Sequence, residues 1–178
     1  MLAQFPPSYG SNYFDTLDFD RDGDLDLVIT NGDNGDFSTI IKPYHGIRIL
    51  LNNGQNKFDQ KYFFPVNGIQ KLLVRDFDRD GDLDMASISF FPDFKRQVNE
   101  SFIYWENDGH SGFKRSTFKE ANTGRWMCMD AGDIDRDGDE DIVLGNALFS
   151  LGEVPKSIQE NWEHNPVSLY VLENKTIN

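Results

Sequence analysis

The sequence predicts an all-β fold built from three similar units, and three observations carry that prediction. An acidic run recurs as "DFDRDGDLDLV", "DFDRDGDLDMA" and "DIDRDGDEDIV", starting at Asp18, Asp76 and Asp133, 58 and 57 residues apart. Each run leads into a short apolar or β-branched stretch, "LDLVIT", "LDMASISF" or "EDIVLG". A second such stretch follows in every unit, "GIRILLNNG", "SFIYWENDG" and "VSLYVLENK". A fixed period of this kind marks a repeat protein, in which each unit buries its faces against its neighbours.

The strands of one unit follow in order. The first precedes the acidic run and the second follows it. The third ends at Asn53-Gly54 or Asp108-Gly109, pairs that favour tight turns between strands. The fourth begins at a phenylalanine four residues after that glycine, Phe58 or Phe113. In the second unit the four strands are expected over about 71–77, 83–90, 101–108 and 113–120. "LLVRDF" and "DIVLG" are apolar on both faces, which suits sheets covered on both sides, as in stacked propeller blades. Only "SIQENWEH" offers a helical pattern, and one short turn is expected there.

Pro7 and Gly10 precede Asp18 by the same distances as Pro65 and Gly68 precede Asp76. Residues 1–10 therefore read as the last strand of a preceding unit. The units are then a first blade at 11–67, a second at 68–124, and a third at 125–178 that lacks its outer strand. Propellers close with typically four to eight blades, so three imply a truncated propeller with further blades missing from this chain.

Composition narrows the function. With 178 residues, 38% hydrophobic and 13% aromatic, the chain can bury a real core. Its net charge of −13 comes from 30 acidic against 17 basic residues. No basic cluster stands out, which argues against nucleic acid and anionic membrane surfaces as partners. No apolar run is long enough to insert into a membrane, and "MLAQFPPSYG" lacks the pattern of a secretory signal. Cys128, the sole cysteine, excludes an intrachain disulfide and, in the apolar setting "WMCMDAG", reads as a buried unreactive thiol. His45, His110 and His164 sit in no nucleophile frame. Glu153, Glu160 and Glu163 share one loop and keep paired-carboxylate glycoside chemistry open.

The acidic runs carry the chemistry. Numbered from the first aspartate, each has carboxylates at positions 1, 3, 5, 7 and 9 and glycine at 6. Carboxylates packed this closely repel one another unless a cation sits among them. Hard oxygen ligands on a flexible loop suit Ca²⁺ better than Mg²⁺, which demands stricter geometry. An EF-hand would require glutamate at position 12, where this chain has Ile29, Ser87 and Leu144, each inside a predicted strand.

The pattern D-x-D-x-D-G-D-x-D before a strand, followed by N-x-G-x-x-x-F, resembles FG-GAP/VCBS repeats. With no literal Phe-Gly…Gly-Ala-Pro element, the chain is most similar to the bacterial VCBS-like branch. The resemblance implies four-stranded antiparallel blades of a β-propeller, commonly seven-bladed. It also implies side-chain calcium ligands at positions 1, 3, 5 and 9 and a backbone carbonyl at 7. These are Asp18, Asp20, Asp22 and Asp26 with Asp24; Asp76, Asp78, Asp80 and Asp84 with Asp82; and Asp133, Asp135, Asp137 and Asp141 with Asp139. One structural Ca²⁺ per loop, three per chain, is expected.

The function expected is a non-catalytic, calcium-stabilised module for extracellular or cell-surface binding or adhesion, with a protein or glycan ligand. The alternative is the scaffold portion of a propeller carbohydrate-active enzyme such as a polysaccharide lyase. Ligand contacts are expected on the rim opposite the acidic loops, where "NGDNGDFSTIIKPYHG", "FPDFKRQVNE" and "SLGEVPKSIQENWEHNP" vary most. The candidates there are Tyr44, His45, Phe94, Arg96, Arg125, Trp126, Trp162 and His164.

Overall fold

Each acidic run folds as a turn between two antiparallel strands. The computed structural model describes residues 3–32, 40–96, 98–110, 112–147 and 152–176. The first sheet contains β1 (Ser11–Leu17), β2 (Asp26–Asn31), β3 (Gly46–Asn52) and β4 (Phe58–Pro65), in that order across the sheet. The second contains β5 (Ile69–Arg75), β6 (Asp84–Ser89), β7 (Phe102–Asn107) and β8 (Phe113–Ser116), again in sequence order. The third has three strands, β9 (Trp126–Gly132), β10 (Asp141–Asn146) and β11 (Leu169–Leu172). All neighbours pair antiparallel, and matching registers recur, such as Leu17 opposite Asp26 and Arg75 opposite Asp84.

The sheets stack face to face as propeller-like blades, with β1 beside β5 and β5 beside β9. Burial along single strands shows the order. Every residue of β6 is buried, because the middle blade is covered on both faces. In β9, by contrast, Met127 and Cys128 are exposed between the buried Trp126 and Met129, so one face of the third blade is open. Cys128 is therefore an exposed thiol instead of the buried one expected, because its side of β9 faces away from the middle blade.

Two cores fill the spaces between blades. Val28, Ile49, Ile69, Val74, Met85 and Trp105 form the first, between blades one and two. Leu73, Ile88, Phe102, Trp126, Met129 and Leu144 form the second, between blades two and three. Trp105 is fully enclosed, and its indole N–H donates to Ser87 Oγ at 2.9 Å.

Two segments depart from expectation. Residues 3–6 form no strand and Pro7–Tyr9 makes a 3-10 turn. A fourth strand needs a third to pair with, and the described residues provide none on that side. The predicted single turn at "SIQENWEH" is a nine-residue helix, α1 (Lys156–His164). Ile158 and Trp162, one turn apart on the same side, pack with Val154 against Phe94 of another loop. The Trp162 indole N–H also donates to the Asn122 carbonyl at 2.7 Å, so tertiary contacts extend the helix.

Replacing Trp105 by alanine should cost about 3–5 kcal/mol of stability. Urea denaturation of the wild-type and Trp105→Ala chains at fixed calcium measures it, and a change below about 1 kcal/mol contradicts the shared core between blades.

Candidate metal centres

Each acidic turn has one backbone conformation, repeated three times. Position 4 is left-handed although it is arginine, with φ of 62° at Arg21, 60° at Arg79 and 67° at Arg136. Position 6 has φ of 97° at Gly23, 97° at Gly81 and 102° at Gly138. No atom stands within 4 Å of where a Cβ would sit on Gly23 or Gly81. Glycine is thus set there by backbone conformation, not crowding. Successive aspartates then fold back on the chain. Asp20 Oδ1 accepts from the Asp22 N–H at 3.3 Å and Asp22 Oδ1 from the Asp24 N–H at 2.9 Å. The same steps recur at Asp78 and Asp80 and at Asp135 and Asp137.

This folding brings the carboxylates together. Oxygens of Asp18, Asp20 and Asp22 lie within 4.8 Å of one another, as do those of Asp76, Asp78 and Asp80, and of Asp133, Asp135 and Asp141. Desolvation and crowding both act on their titration. Desolvation, followed by the charges of Asp22 and Asp26, raises the pKa of Asp20. Asp78 is raised chiefly by desolvation as well, with Asp84, Asp80 and Asp76 adding to it. At Asp135 the Asp137 N–H is the largest influence and pulls down, but desolvation with the charges of Asp137 and Asp141 outweighs it. Asp18 Oδ1 and Asp139 Oδ1 are buried with no hydrogen-bond partner. Orphaned buried oxygens and converging hard donors fit a divalent cation.

Position 9 does something the sequence pattern alone did not reveal. Asp26, Asp84 and Asp141 are buried and tie three strands together. Asp26 accepts from the Phe19 N–H at 2.8 Å and from the Asn52 N–H, at the end of β3, also at 2.8 Å. Asp84 accepts from the Asn107 N–H at 2.8 Å and from the Tyr104 hydroxyl at 2.6 Å. Asp141 accepts from the Ile134 N–H at 3.0 Å and the Asn174 N–H at 2.9 Å. These last two bonds, Asn174 first, hold Asp141 below the ordinary carboxylate range. At Asp84 burial prevails and the shift is upward.

The asparagines complete the clamp. Nδ2 of Asn52, Asn107 and Asn174 donates to the position-8 carbonyls of Leu25, Leu83 and Glu140 at 3.1, 3.1 and 3.3 Å. Asn52 and Asn107 are the first residues of the N-x-G-x-x-x-F pattern, which reads in sequence as a turn signal. Position 7 points elsewhere. A Cβ on Gly54 would lie 2.6 Å from Asp24 Oδ2, and one on Gly109 would lie 2.7 Å from Asp82 Oδ2. Each of these carboxylates therefore packs beneath the neighbouring hairpin turn on the same rim.

The opposite rim is more buried than the sequence suggested. His45, Phe94, Arg125, Trp126 and Trp162 are all buried and pack the rim together, and His45, Phe94 and Arg125 also line a small pocket there. Trp126 belongs to β9, not to a loop. Arg125, 1% exposed, lies within 6 Å of the ring centres of Phe90, Phe91, Phe94 and Trp162. Desolvation pushes its guanidinium down to about 10. Tyr44 is half-buried and stacked on Tyr9 at 4.6 Å, while Arg96 and His164 are exposed. Residues 33–39, 97 and 148–151 of the three rim loops lie outside the described residues. Glu153 pairs with Lys95, and Glu160 with Lys156 at 3.5 Å. Glu163 is exposed on α1.

Fold and site together define a repeat protein of stacked antiparallel units, two with four strands and one with three among the described residues, each with an acidic turn able to hold a cation. The FG-GAP-like repeat profile matches residues 18–87 and again 76–144, and the chain belongs to that family. No curated protein matches the chain.

The clamp and the cation cluster separate by mutation. Asp84→Ala should destabilise the calcium-free chain by about 3 kcal/mol, because it strands buried donors. Asp80→Asn keeps an acceptor for the Asp82 N–H, so calcium-free stability should hold within about 0.5 kcal/mol while one site loses calcium. Denaturant melts of both variants in EDTA test this, and equal losses would refute the division of labour. Gly54→Ala should cost more than about 1 kcal/mol, since it meets both the positive φ of 75° and Asp24.

Proposed function

We propose that the chain is a calcium-stabilised propeller module for extracellular binding or adhesion, with no chemistry of its own. The observation that carries the reading is the convergence of three carboxylate oxygens in each of three similar turns, from positions 1, 3 and 5 in the first two and 1, 3 and 9 in the third. In this reading positions 1, 3, 5 and 9 of each loop hold one Ca²⁺ by their side chains. Position 7 contributes its carbonyl, and the diversion of the Asp24 and Asp82 carboxylates toward Gly54 and Gly109 supports that assignment. Three ions would change the formal charge from −13 to −7.

The ion's role is to neutralise like charge and so hold the turn between the first two strands of each blade. Clustered carboxylates without it destabilise the fold, and an ion bound only by the folded form adds stability by mass action. Loops of this kind in extracellular modules bind with Kd of about 10⁻⁴–10⁻³ M. Cytosolic calcium would leave them largely empty, which supports a place outside the cell. The ligand, protein or glycan, would be met on the rim opposite the acidic loops, where Lys95, Arg96 and His164 are exposed.

Calorimetric titration of the stripped chain should give three calcium sites, and a stoichiometry near zero refutes the reading. At ten times Kd each site adds about 1.4 kcal/mol. Chelation from about 1 mM calcium should therefore lower Tm by on the order of 10 °C. An unchanged Tm in EDTA at low salt contradicts the structural role. A glycan array probed with the calcium-loaded chain tests the ligand class.

A further inference from the structure

The acidic loops also connect along the stack. Arg21, at position 4 of the first loop, approaches Asp82, at position 7 of the second, with Nη1 3.8 Å from Oδ1. Arg79 at position 4 of the second loop reaches the third, its Nη2 3.3 Å from where a Cβ would stand on Gly138. Position 4 of the first and second loops thus reaches positions 7 and 6 of the loop that follows. Arg136 is exposed at the end of this series and forms no ion pair among the described residues. Asp24 begins the series, also without a basic partner among them.

The apolar faces follow the same order. Blade two presents Phe77, Phe102 and Tyr104 to blade three. One repeat on, the equivalent residues are Ile134, Leu169 and Val171, and they are 52%, 67% and 49% exposed. At the other end Phe14, the counterpart of the buried Leu72, is 68% exposed, and Leu25, the counterpart of Leu83, is 60% exposed. Exposed apolar residues concentrated on two opposite faces mark association surfaces.

We propose that the open face of blade three receives blade one of a second copy, head to tail, with Arg136 of one chain against Asp24 of the other. A second copy fits because each of its ends complements the opposite end of the first, as blades one and two already do within the chain. Two chains in this arrangement make six blades, within the range that closes a ring, and a head-to-tail contact that closes yields a finite assembly. Asp130 and Gly145 stand where blade two has Leu73 and Ile88, so the junction is less apolar than the internal ones. The charge pair then sets register more than strength.

Sedimentation velocity on the calcium-loaded 178-residue chain tests this. A two-chain species is expected, and Arg136→Glu or Asp24→Arg should each weaken it about tenfold. An equimolar mixture of those two variants should recover wild-type association, because one junction is then natural and the other carries the swapped pair. Leu169→Glu, remote from the loops and exposed, should abolish pairing while leaving three calcium sites. A monomer at every concentration, unlimited head-to-tail growth, pairing insensitive to all three substitutions, or a mixture no stronger than either variant would overturn the proposal.

Discussion

Five carboxylates share each nine-residue turn, and the repulsion among them is the constraint that the remaining structure answers. The chain answers it partly by geometry. Left-handed Arg21, Arg79 and Arg136 and the glycines at position 6 wind the turn so that alternate carboxylates accept N–H bonds from residues two further on. Those bonds satisfy part of each carboxylate but also draw the remaining oxygens inward, to within 4.8 Å of one another. Desolvation first, with the neighbouring carboxylates adding to it, raises Asp20 and Asp78, and the same influences outweigh a hydrogen bond at Asp135. A cation in the turn would offset the clustered charge.

The turn is also what joins the strands. Through Asp26, Asp84 and Asp141, the start of each second strand is bonded to the far end of the third. The paired asparagine returns a bond to the position-8 carbonyl. A perturbation of the loop therefore passes directly into the order of the blade. It passes along the stack as well, because Arg21 and Arg79 each reach the following loop. The acidic rim is electrostatic and repetitive, whereas the opposite rim is held by rings around buried cations, Arg48 over Phe63 and Arg125 over Phe90. One scaffold thus has a rim fixed by repeated loops and a rim fixed by packing between unlike loops.

What could be read from sequence was whatever repeats. The period located all three turns, and the strands of the second blade, expected at about 71–77, 83–90, 101–108 and 113–120, lie at 69–75, 84–89, 102–107 and 113–116. The acidic clusters were legible because charge spacing is local. The opposite rim was not, because burial there depends on residues distant in the chain. Arg125 is enclosed only because Phe90, Phe91, Phe94 and Trp162 arrive from two separate loops. The length of α1 depends likewise on Phe94 accepting Trp162. Cys128 looked buried because its sequence neighbours are apolar, yet its exposure is decided by which face of β9 the middle blade covers.

The central claim is that the three turns are cation sites occupied by calcium. Anomalous difference scattering from crystals grown in calcium addresses it without any readout of stability. The account predicts three peaks, one enclosed by residues 18–26, one by 76–84 and one by 133–141, each bounded by side chains of positions 1, 3 and 5. Turns that hold only water, or peaks confined to the protein surface elsewhere, would contradict it.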